Sequence, residues 1–146
     1  MNAEVFSVVS FNTDDRSRSE IAFSIRNQVF VEEQKVSREE EYDSHESESV
    51  HYLLFAGDEA IGTARMRETK DGVKLERFAV LPAYRNRGAG SVLVHHVLQD
   101  AQKFNLPVYL NAQVPAMNVY SRAGFKAVGP LFYEAGLPHY RMELHK

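Results

Sequence analysis

The stretch Arg85-Asn86-Arg87-Gly88-Ala89-Gly90 decides the fold of this chain, because a strand-like run, Lys74 to Leu81, precedes it and a helix-like run, Ser91 to Phe104, follows it. Backbone N–H groups in the first turn of a helix have no partner within the helix, and the helix dipole adds partial positive charge there. A phosphate group is therefore the ligand that such a glycine-rich helix start favours. The arginines of the stretch add to the positive field. The stretch predicts an anion-binding loop between a strand and a helix.

Two common phosphate-binding motifs do not fit this loop. A dinucleotide-binding turn has a third glycine three residues after the second, and that position here is Leu93. A Walker-type loop ends in Gly-Lys-Ser/Thr, whereas Gly90 is followed by Ser91 and Val92. A helix that is simply entered through glycines remains an alternative for the hexapeptide taken alone.

A second pattern lies further along the chain. Val108 to Ala112 predicts a short apolar strand, Ala116 to Ala123 a short helix, and Gly124-Phe125 follow. The arginine-x-x-Gly-x-Gly loop resembles the pyrophosphate loop of the GNAT superfamily of N-acyltransferases. Tyr120-Ser121-Arg122-Ala123-Gly124-Phe125 resembles the tyrosine-x-x-x-glycine-phenylalanine signature that closes the cofactor cleft of the same superfamily. The two motifs agree with that superfamily in order and in approximate separation.

Nearly the whole chain resembles the ElaA/YjcF-like branch of this superfamily. The matching stretches are Arg26-Asn27-Gln28-Val29-Phe30-Val31-Glu32-Glu33-Gln34, Asn111-Ala112-Gln113 and Pro138-His139-Tyr140-Arg141-Met142. The later acidic residues of the branch are only partly recognisable in Glu41-Tyr42-Asp43.

Composition limits the class of protein. With 146 residues, we expect one GNAT N-acetyltransferase domain over 1–146, and the net charge of −3 argues against a general nucleic-acid binder. The absence of cysteine excludes a disulfide framework, a thiolate nucleophile and sulfur-ligated zinc. Met1 to Phe6 lacks the basic and apolar pattern of a leader, and the chain has no apolar run long enough for a membrane span. We expect a cytoplasmic monomer or homodimer without nucleic-acid or membrane partners.

Hydrophobic periodicity predicts a mixed α/β, α+β-like fold. A helix is predicted from Ser17 to about Glu33, and an antiparallel meander begins at Val50. The predicted strands are Val5 to Phe11, Val50 to Ala56, Ala60 to Glu68, Val73 to Val80, Val108 to Ala112, one near Phe125 to Val128, and Tyr140 to Leu144. The segment Glu39 to Glu48 is too polar to build core and is predicted to be a solvated loop with one helical turn. It could instead attract a cationic acceptor. The resemblance implies a largely antiparallel central sheet, flanked by helices and splayed between its fourth and fifth strands.

The resemblance also implies coenzyme A as the ligand of the loop, with acetyl-CoA as cosubstrate. Its pyrophosphate would lie on the amides from Arg87 to Ser91, and its pantetheine arm beside the preceding strand. The implied binding residues are Phe78, Ala79, Val80, Arg85, Arg87, Gly88, Ala89, Gly90 and Ser91. As an alternative, both arginines are simply solvated residues at a helix entry.

Two residues are implied in proton transfer. By its place before Gly124-Phe125, Tyr120 would be the acid that protonates the leaving thiolate; the alternative is a core tyrosine bonded to backbone. His139, in Gly136-Leu137-Pro138-His139, would take the proton of the amine, and a neutral imidazole suits that task near pH 7. Because His139 also belongs to the polar set of an alternating strand, an ordinary surface histidine remains an alternative.

A glutamate base used by some superfamily members does not carry over, because Lys74 occupies its position. Glu76 lies nearby but is expected to point to the opposite sheet face from Arg77, since side chains alternate along a strand.

The resemblance places Arg26, Arg77 and Gln113 at the acceptor pocket, where guanidinium forks would hold a carboxylate or phosphonate. The alternative for Arg26 is an ion pair with Glu33 or with the acidic segment. We expect no metal: His95 and His96 are neighbours on a helix and cannot chelate together, and His45 and His51 with nearby carboxylates make only a weak site.

These observations predict an acetyl-CoA-dependent N-acetyltransferase that acts by direct attack in a ternary complex. The acceptor would be a small-molecule amine, including one that bears an anionic group. The alternatives are a non-catalytic acyl-CoA-binding module, acting as a sensor or partner subunit, and an acetyltransferase for protein or peptide amines.

Overall fold

The computed structural model describes residues 5–145, apart from the side chain of Glu40. Residues 1–4, which carry part of the expectation of no leader, and Lys146 lie outside the described residues. The strands are β1 (Phe6–Phe11), β2 (Val50–Ala56), β3 (Glu59–Thr69), β4 (Gly72–Val80), β5 (Val108–Gln113), β6 (Phe125–Glu134) and β7 (Leu137–Leu144). They form a seven-stranded sheet in the order β1-β2-β3-β4-β5-β7-β6. Within the described chain, β4 and β5 form the one parallel pair. The predicted class, a mixed fold with a largely antiparallel sheet, is confirmed.

Over the described range 5–145, four α-helices and several short turns connect the strands. The helices are α1 (Arg16–Arg26), α2 (Arg38–Glu41), α3 (Ala89–Gln102) and α4 (Met117–Arg122). Among residues 5–145, no helix is long and apolar enough to cross a membrane.

The first helix changes its winding part-way along the predicted range. Asp15 caps α1 by accepting the backbone N–H of Arg18, and after Arg26 the chain continues as a π-helical segment, Asn27–Glu33. The periodicity therefore predicted the extent of the helix correctly but not the wider turn. Such π-helical turns are frequent at functional sites. This one brings Val29 and Phe30 against the sheet.

The sheet carries a hydrophobic cluster on each face. Tyr52 and Leu54 of β2 pack with α3, whereas Leu53 packs with Ile25 of α1, as strand alternation requires. The helix α1 thus covers one face, and α3 covers the other.

The strands β6 and β7 are longer than the sequence predicted. The predicted strand ends at Val128, yet the chain continues through Gly129-Pro130 as a bulge, with a register shift between Val128 and Phe132 and Gly129 at φ 75°. Proline is tolerated there because β6 is an edge strand. Ala135 and Gly136, at φ 52° and 76°, make the tight turn to β7.

The sheet opens between β4 and β5. These two strands pair only where Val73, Lys74 and Leu75 face Val108, Tyr109 and Leu110. Beyond Leu75, β4 bulges: Arg77 and Phe78 lie opposite the single residue Ala64 of β3, and Arg77 has φ 59°. In a regular strand, Leu75 and Ala79 would lie on the same face of the sheet. Because of the bulge, Leu75 packs on the α3 side and Ala79 on the α1 side. The splay implied by the resemblance is present.

Candidate active site

The opening between β4 and β5 is a cleft with a volume of about 290 Å³. Phe78, Ala79 and Val80 line it from β4, and Asn111 and Gln113 line it from β5. The π-helical segment and the β6–β7 hairpin supply further parts of the wall, and Glu41, Arg85 and Tyr120 also line it. The strand predicted to bind a pantetheine arm is therefore a wall of the cleft.

The glycine loop ends in a helix start that suits an anion. Gly88 is the N-cap of α3 at φ 82°, in the left-handed region that glycine adopts readily, and its carbonyl accepts the N–H of Val92 at 3.2 Å. The amides of Ala89, Gly90 and Ser91 lie in the first turn, where a helix has no internal partner for them. A Cβ added at Gly88 or Gly90 would meet no atom within 4 Å. The loop thus fits a phosphate group through its backbone and has space for it.

The two loop arginines have protein contacts of their own. Arg85 lines the cleft, donates from Nε to the Val80 carbonyl at 2.8 Å, and forms a bidentate pair with Glu33 at 2.6 and 2.8 Å. The hydrogen bond from Arg85 lowers the pKa of Glu33. Arg87 is exposed, and its guanidinium carbon lies 5.3 Å from the centroid of the Tyr84 ring. Glu33, which the sequence analysis did not place here, ties the π-helical segment to the loop.

Tyr120 lies in the wall of the cleft, between two aromatic rings. Its ring meets Phe78 edge-on at 5.6 Å and Phe125 at 6.4 Å. Burial raises the pKa of Tyr120, so the phenol keeps its proton at neutral pH. The structure records no hydrogen bond from its hydroxyl to any of residues 5–145. The arrangement provides a neutral O–H donor at the cleft.

His139 is a buried residue of the cleft wall, only 6% exposed, rather than an ordinary surface histidine. Its Nδ1–H donates to the Leu137 carbonyl at 2.7 Å, which leaves Nε2 as the acceptor of the neutral ring. The ring stacks on Phe132, its cross-strand partner, at 5.7 Å. Nε2 lies 3.7 Å from Oε2 of Glu134. The sequence analysis missed Phe132 and Glu134 because it ended β6 at Val128.

The residues expected at the acceptor pocket are only partly brought together. Arg77 and Gln113 line the cleft, and the Gln113 amide donates to Oε1 of Gln34 at 2.9 Å, across the cleft. Arg26 is 1% exposed and is not part of the cleft lining. Its guanidinium donates to Glu41 and to both carboxylate oxygens of Glu46 at 2.7 to 2.9 Å. Arg26 therefore takes its alternative role, an ion pair with the acidic segment.

Comparison with known proteins agrees with this geometry. The family model described as an acetyltransferase (GNAT) domain matches residues 12–146. The chain belongs to the GNAT acetyltransferase family. The predicted enzyme class, N-acetyltransferase, is confirmed by this membership.

The GNAT relatives lie in the expected branch. The uncharacterized N-acetyltransferase YjcF of Bacillus subtilis (strain 168) is 38% identical over 124 residues, 83% of this chain and 88% of that protein. The crystal structure of Escherichia coli ElaA superposes with a TM-score of 0.85 at 26% identity and covers 97% of this chain and 100% of that one. An acyl-CoA N-acyltransferase from Pseudomonas aeruginosa superposes with a TM-score of 0.82 at 27% identity, with coverage of 97% and 100%. The resemblance to the ElaA/YjcF-like branch is confirmed.

In this GNAT protein, a buried ionic network fastens the acidic segment to the sheet beside the cleft. Arg65 of β3, 0% exposed, donates to Asp43, Glu46 and Glu76 at 2.7 to 3.0 Å. Glu41 is 3% exposed. The expectation that the segment 39–48 is too polar to build core is wrong for Glu41, because the paired arginines compensate its burial. Arg65, a charged residue inside the predicted strand Ala60 to Glu68, was the sequence signal for this network.

Strand alternation also misplaced Glu76 relative to Arg77. Both side chains enter the same network, Glu76 through Arg65 and Arg77 through Asp43 at 3.5 Å. The bulge at Arg77 is the reason, because one inserted residue returns the next side chain to the same face. Within residues 5–145, no group of three or more His, Cys, Asp and Glu residues is arranged to hold a metal ion.

The buried ionic network predicts that the folded state loses stability in acid. Burial by itself raises the pKa of Glu76, but Arg65 and Lys74 outweigh it and lower the pKa to about 2. Arg26 likewise outweighs burial and lowers the pKa of Glu46. Glu76 and Glu46 therefore each contribute stability that is fully present above the unfolded pKa of a glutamate, about 4.3, and is lost as the pH falls through their lower folded values.

We expect the free energy of unfolding to decrease between about pH 4.5 and pH 2. The contribution of Glu76 is on the order of 3 kcal/mol, from a lowering of more than two pKa units. Urea unfolding at a series of pH values measures it. Glu76→Gln should flatten part of this decrease, whereas Glu143→Gln, at a half-exposed carboxylate that pairs with Arg141, should not. Identical slopes in the unaltered protein and Glu76→Gln would contradict the prediction.

Proposed function

We propose that this chain transfers the acetyl group of acetyl-CoA to the amine of a small molecule, by direct attack in a ternary complex. The observation that carries the proposal is the cleft itself. Arg85, three residues before the N-cap of α3, lines it, and its walls carry a neutral phenol and an imidazole with an available lone pair. A volume of about 290 Å³ suits a small ligand.

The backbone provides most of the proposed cosubstrate site. The first-turn amides from Ala89 to Ser91 would hold the pyrophosphate, where the positive end of the helix dipole favours it. Phe78 to Val80 lie on the part of β4 that β5 does not pair, so their main-chain groups can bind the amide-rich pantetheine arm as another strand would. Acetyl-CoA supplies an activated acetyl thioester at the inner end of this arm.

The bulge of β4 completes the proposed site for the reacting carbonyl. Residues at a bulge leave the regular ladder, so main-chain donors near Arg77 and Phe78 are released from pairing. Such fixed donors stabilise an oxyanion more than water does, because they need no reorganisation during the reaction.

His139 and Tyr120 divide the proton transfers. An alkylamine of pKa about 10 is neutral in about one molecule in a thousand at pH 7, which costs roughly 4 kcal/mol. Nε2 of His139 would accept the amine proton as the C–N bond forms. As the C–S bond breaks, the Tyr120 hydroxyl would donate its proton to the sulfur. The carbonyl of Leu137 fixes the ring tautomer that this division requires.

The acceptor proposal differs from the sequence expectation in one respect. An anionic group was expected because Arg26 and Arg77 were placed together at the pocket. Carboxylates of the chain engage both guanidinium groups, Arg26 with Glu41 and Glu46, and Arg77 with Glu41 and Asp43. We therefore propose a small amine without requiring an anionic group, with Gln113 among its contacts in the cleft.

The proposal is tested with a panel of small amines and a panel of lysine-containing peptides, each supplied with acetyl-CoA. Release of free thiol and the mass of the acetylated product are followed. We expect saturable acetylation of small amines. Acetylation of peptides alone would support the protein-modifying alternative, and acetyl-CoA binding without turnover on either panel would support the non-catalytic module.

His139→Ala is expected to lower kcat/KM at pH 7 by about 10²-fold, the ordinary contribution of a general base, while the affinity for acetyl-CoA stays nearly unchanged. Steady-state kinetics and calorimetry measure the two quantities. The control is His95→Ala, at an exposed position of α3 outside the cleft lining. If His139→Ala keeps both the rate and the pH profile, another group takes the proton.

A further inference from the structure

Arg77 combines a strained backbone with a place at the reaction cleft. It has φ 59° in the middle of β4, which is the left-handed region that a residue with a Cβ rarely adopts. It also forms the bulge beside Phe78, at the point where β4 leaves β5. Backbone strain of this kind persists only where the surroundings fix it. The contacts of Arg77 should therefore show what holds the bulge in place.

Arg77 makes several contacts with the acidic segment. Nε of Arg77 lies 3.2 Å from Oε1 of Glu41. Nη2 donates to the Glu41 carbonyl at 3.3 Å and to Oδ2 of Asp43 at 3.5 Å. The guanidinium is thus drawn from the strand towards one short segment, Glu41 to Asp43. Because Arg77 is only 21% exposed, these attractions are weakly screened.

The segment is in turn anchored to rigid parts of the fold. Arg26 of α1 donates to Oε1 of Glu41 at 2.7 Å and to its carbonyl at 2.9 Å. Arg65 of β3 holds both carboxylate oxygens of Asp43 at 2.7 and 2.9 Å. Burial nevertheless outweighs Arg26 and Arg77 and raises the pKa of Glu41. A continuous series of charged contacts therefore runs from α1 and β3, through Glu41 and Asp43, to the bulge.

We propose that Glu41 and Arg77 are positioning residues that set the bulge of β4 and, through it, the main-chain donors for the acetyl carbonyl. Both would act on the carbonyl through the backbone of the bulge. This inference rests on the proposed function, since it concerns how the carbonyl site of the same cleft is shaped. It also gives Arg77 a role that differs from binding the acceptor.

The proposal separates two variants of the same residue. Arg77→Ala removes the ionic contacts but keeps the Cβ, so the strained conformation is no longer held and the bulge relaxes. Arg77→Gly removes the same contacts, yet glycine adopts φ near 59° without the Cβ penalty, so the bulge can persist. We expect kcat to fall by about 10-fold or more in Arg77→Ala and to recover by severalfold in Arg77→Gly, with the affinity for acetyl-CoA nearly constant in both.

Two further variants complete the set. Glu41→Gln keeps the shape of the side chain but removes its charge, and kcat should lie between those of the unaltered protein and Arg77→Ala. Arg18→Ala is the charge-matched control, because its ion pair with Asp15 lies at the N-terminal end of α1. It should leave kcat unchanged. Melting temperatures identify variants with folding defects. If Arg77 has only a structural role, Arg77→Ala and Arg77→Gly should have equal kcat per folded molecule.

Infrared spectroscopy of bound acetyl-CoA tests the effect of the bulge on the acetyl carbonyl when no acceptor is present. Bound acetyl-CoA carrying a ¹³C-labelled carbonyl should show a lowered carbonyl stretching frequency in the unaltered protein, a smaller lowering in Arg77→Ala and a restored one in Arg77→Gly. Equal kcat and equal frequencies in all variants would overturn the inference alone. A carbonyl band identical to that of free acetyl-CoA in the unaltered protein would overturn the proposed function, and the inference with it.

Discussion

Gly88→Glu is expected to abolish acetyl-CoA binding, with a loss in affinity of at least about 100-fold. Gly88 occupies the left-handed region at φ 82°, and a side chain there would enter the open space beside the first turn of α3. A glutamate adds a negative charge where the pyrophosphate is proposed to lie, and it strains the backbone that presents the amides. Isothermal titration calorimetry with acetyl-CoA measures the effect directly.

Gly129→Glu is the matched control for this substitution. Gly129 also has a positive φ, 75°, and a Cβ there would also meet no atom within 4 Å, but it lies in the bulge of β6. The control introduces the same charge and a similar backbone penalty away from the loop, so coenzyme binding should be retained. Unchanged affinity in Gly88→Glu would mean that the loop is only a helix entered through glycines.

Tyr120→Phe is expected to lower kcat by about 10²-fold or more, while coenzyme binding is preserved. Burial raises the pKa of Tyr120, which keeps the phenol protonated and able to protonate a thiolate. Phenylalanine retains the edge-on contacts with Phe78 and Phe125, so the cleft wall should keep its shape. Single-turnover kinetics with acetyl-CoA isolates the chemical step from product release.

Tyr109→Phe serves as the control for Tyr120→Phe. Tyr109 is a buried tyrosine of β5 whose hydroxyl bonds Thr69 at 2.6 Å, outside the cleft lining. Its loss should reduce stability and leave kcat per folded molecule unchanged. Equal kcat in the unaltered protein and in Tyr120→Phe would show that the thiolate leaves without this acid.

Local sequence patterns predicted the features that depend on local chemistry. The glycines of the loop and the strands of the meander each reflect one element and its immediate neighbours. Both lie where they were expected, although the bulge of β4 interrupts the alternation. The Gly129-Pro130 bulge was missed because the same residues also end strands. Only its position at the sheet edge, which is a property of the whole topology, makes proline acceptable there.

The acidic segment shows why the rest of the site was not accessible from sequence. Its polarity favours a solvated loop as long as the partners are unknown. The partners of Glu41 are Arg26, 15 positions earlier, and Arg77, 36 positions later. Arg26 was placed at the acceptor pocket by resemblance, because no local pattern reveals that its donors are already used. Pairings across such distances are set by the packing of α1 on the sheet.

The short contact between β4 and β5 has a consequence for folding energetics. Three residue pairs join β1–β4 to β5–β7, so the sheet is least continuous where the cosubstrate is proposed to bind. A ligand that forms hydrogen bonds along the unpaired part of β4 would act as an inserted strand and strengthen the connection between β1–β4 and β5–β7. Because such a ligand binds only the folded chain, its binding free energy also becomes unfolding free energy, about 2.7 kcal/mol at a concentration 100 times the Kd. The supply of cosubstrate in its surroundings would then set the folded population of this protein as well as its rate.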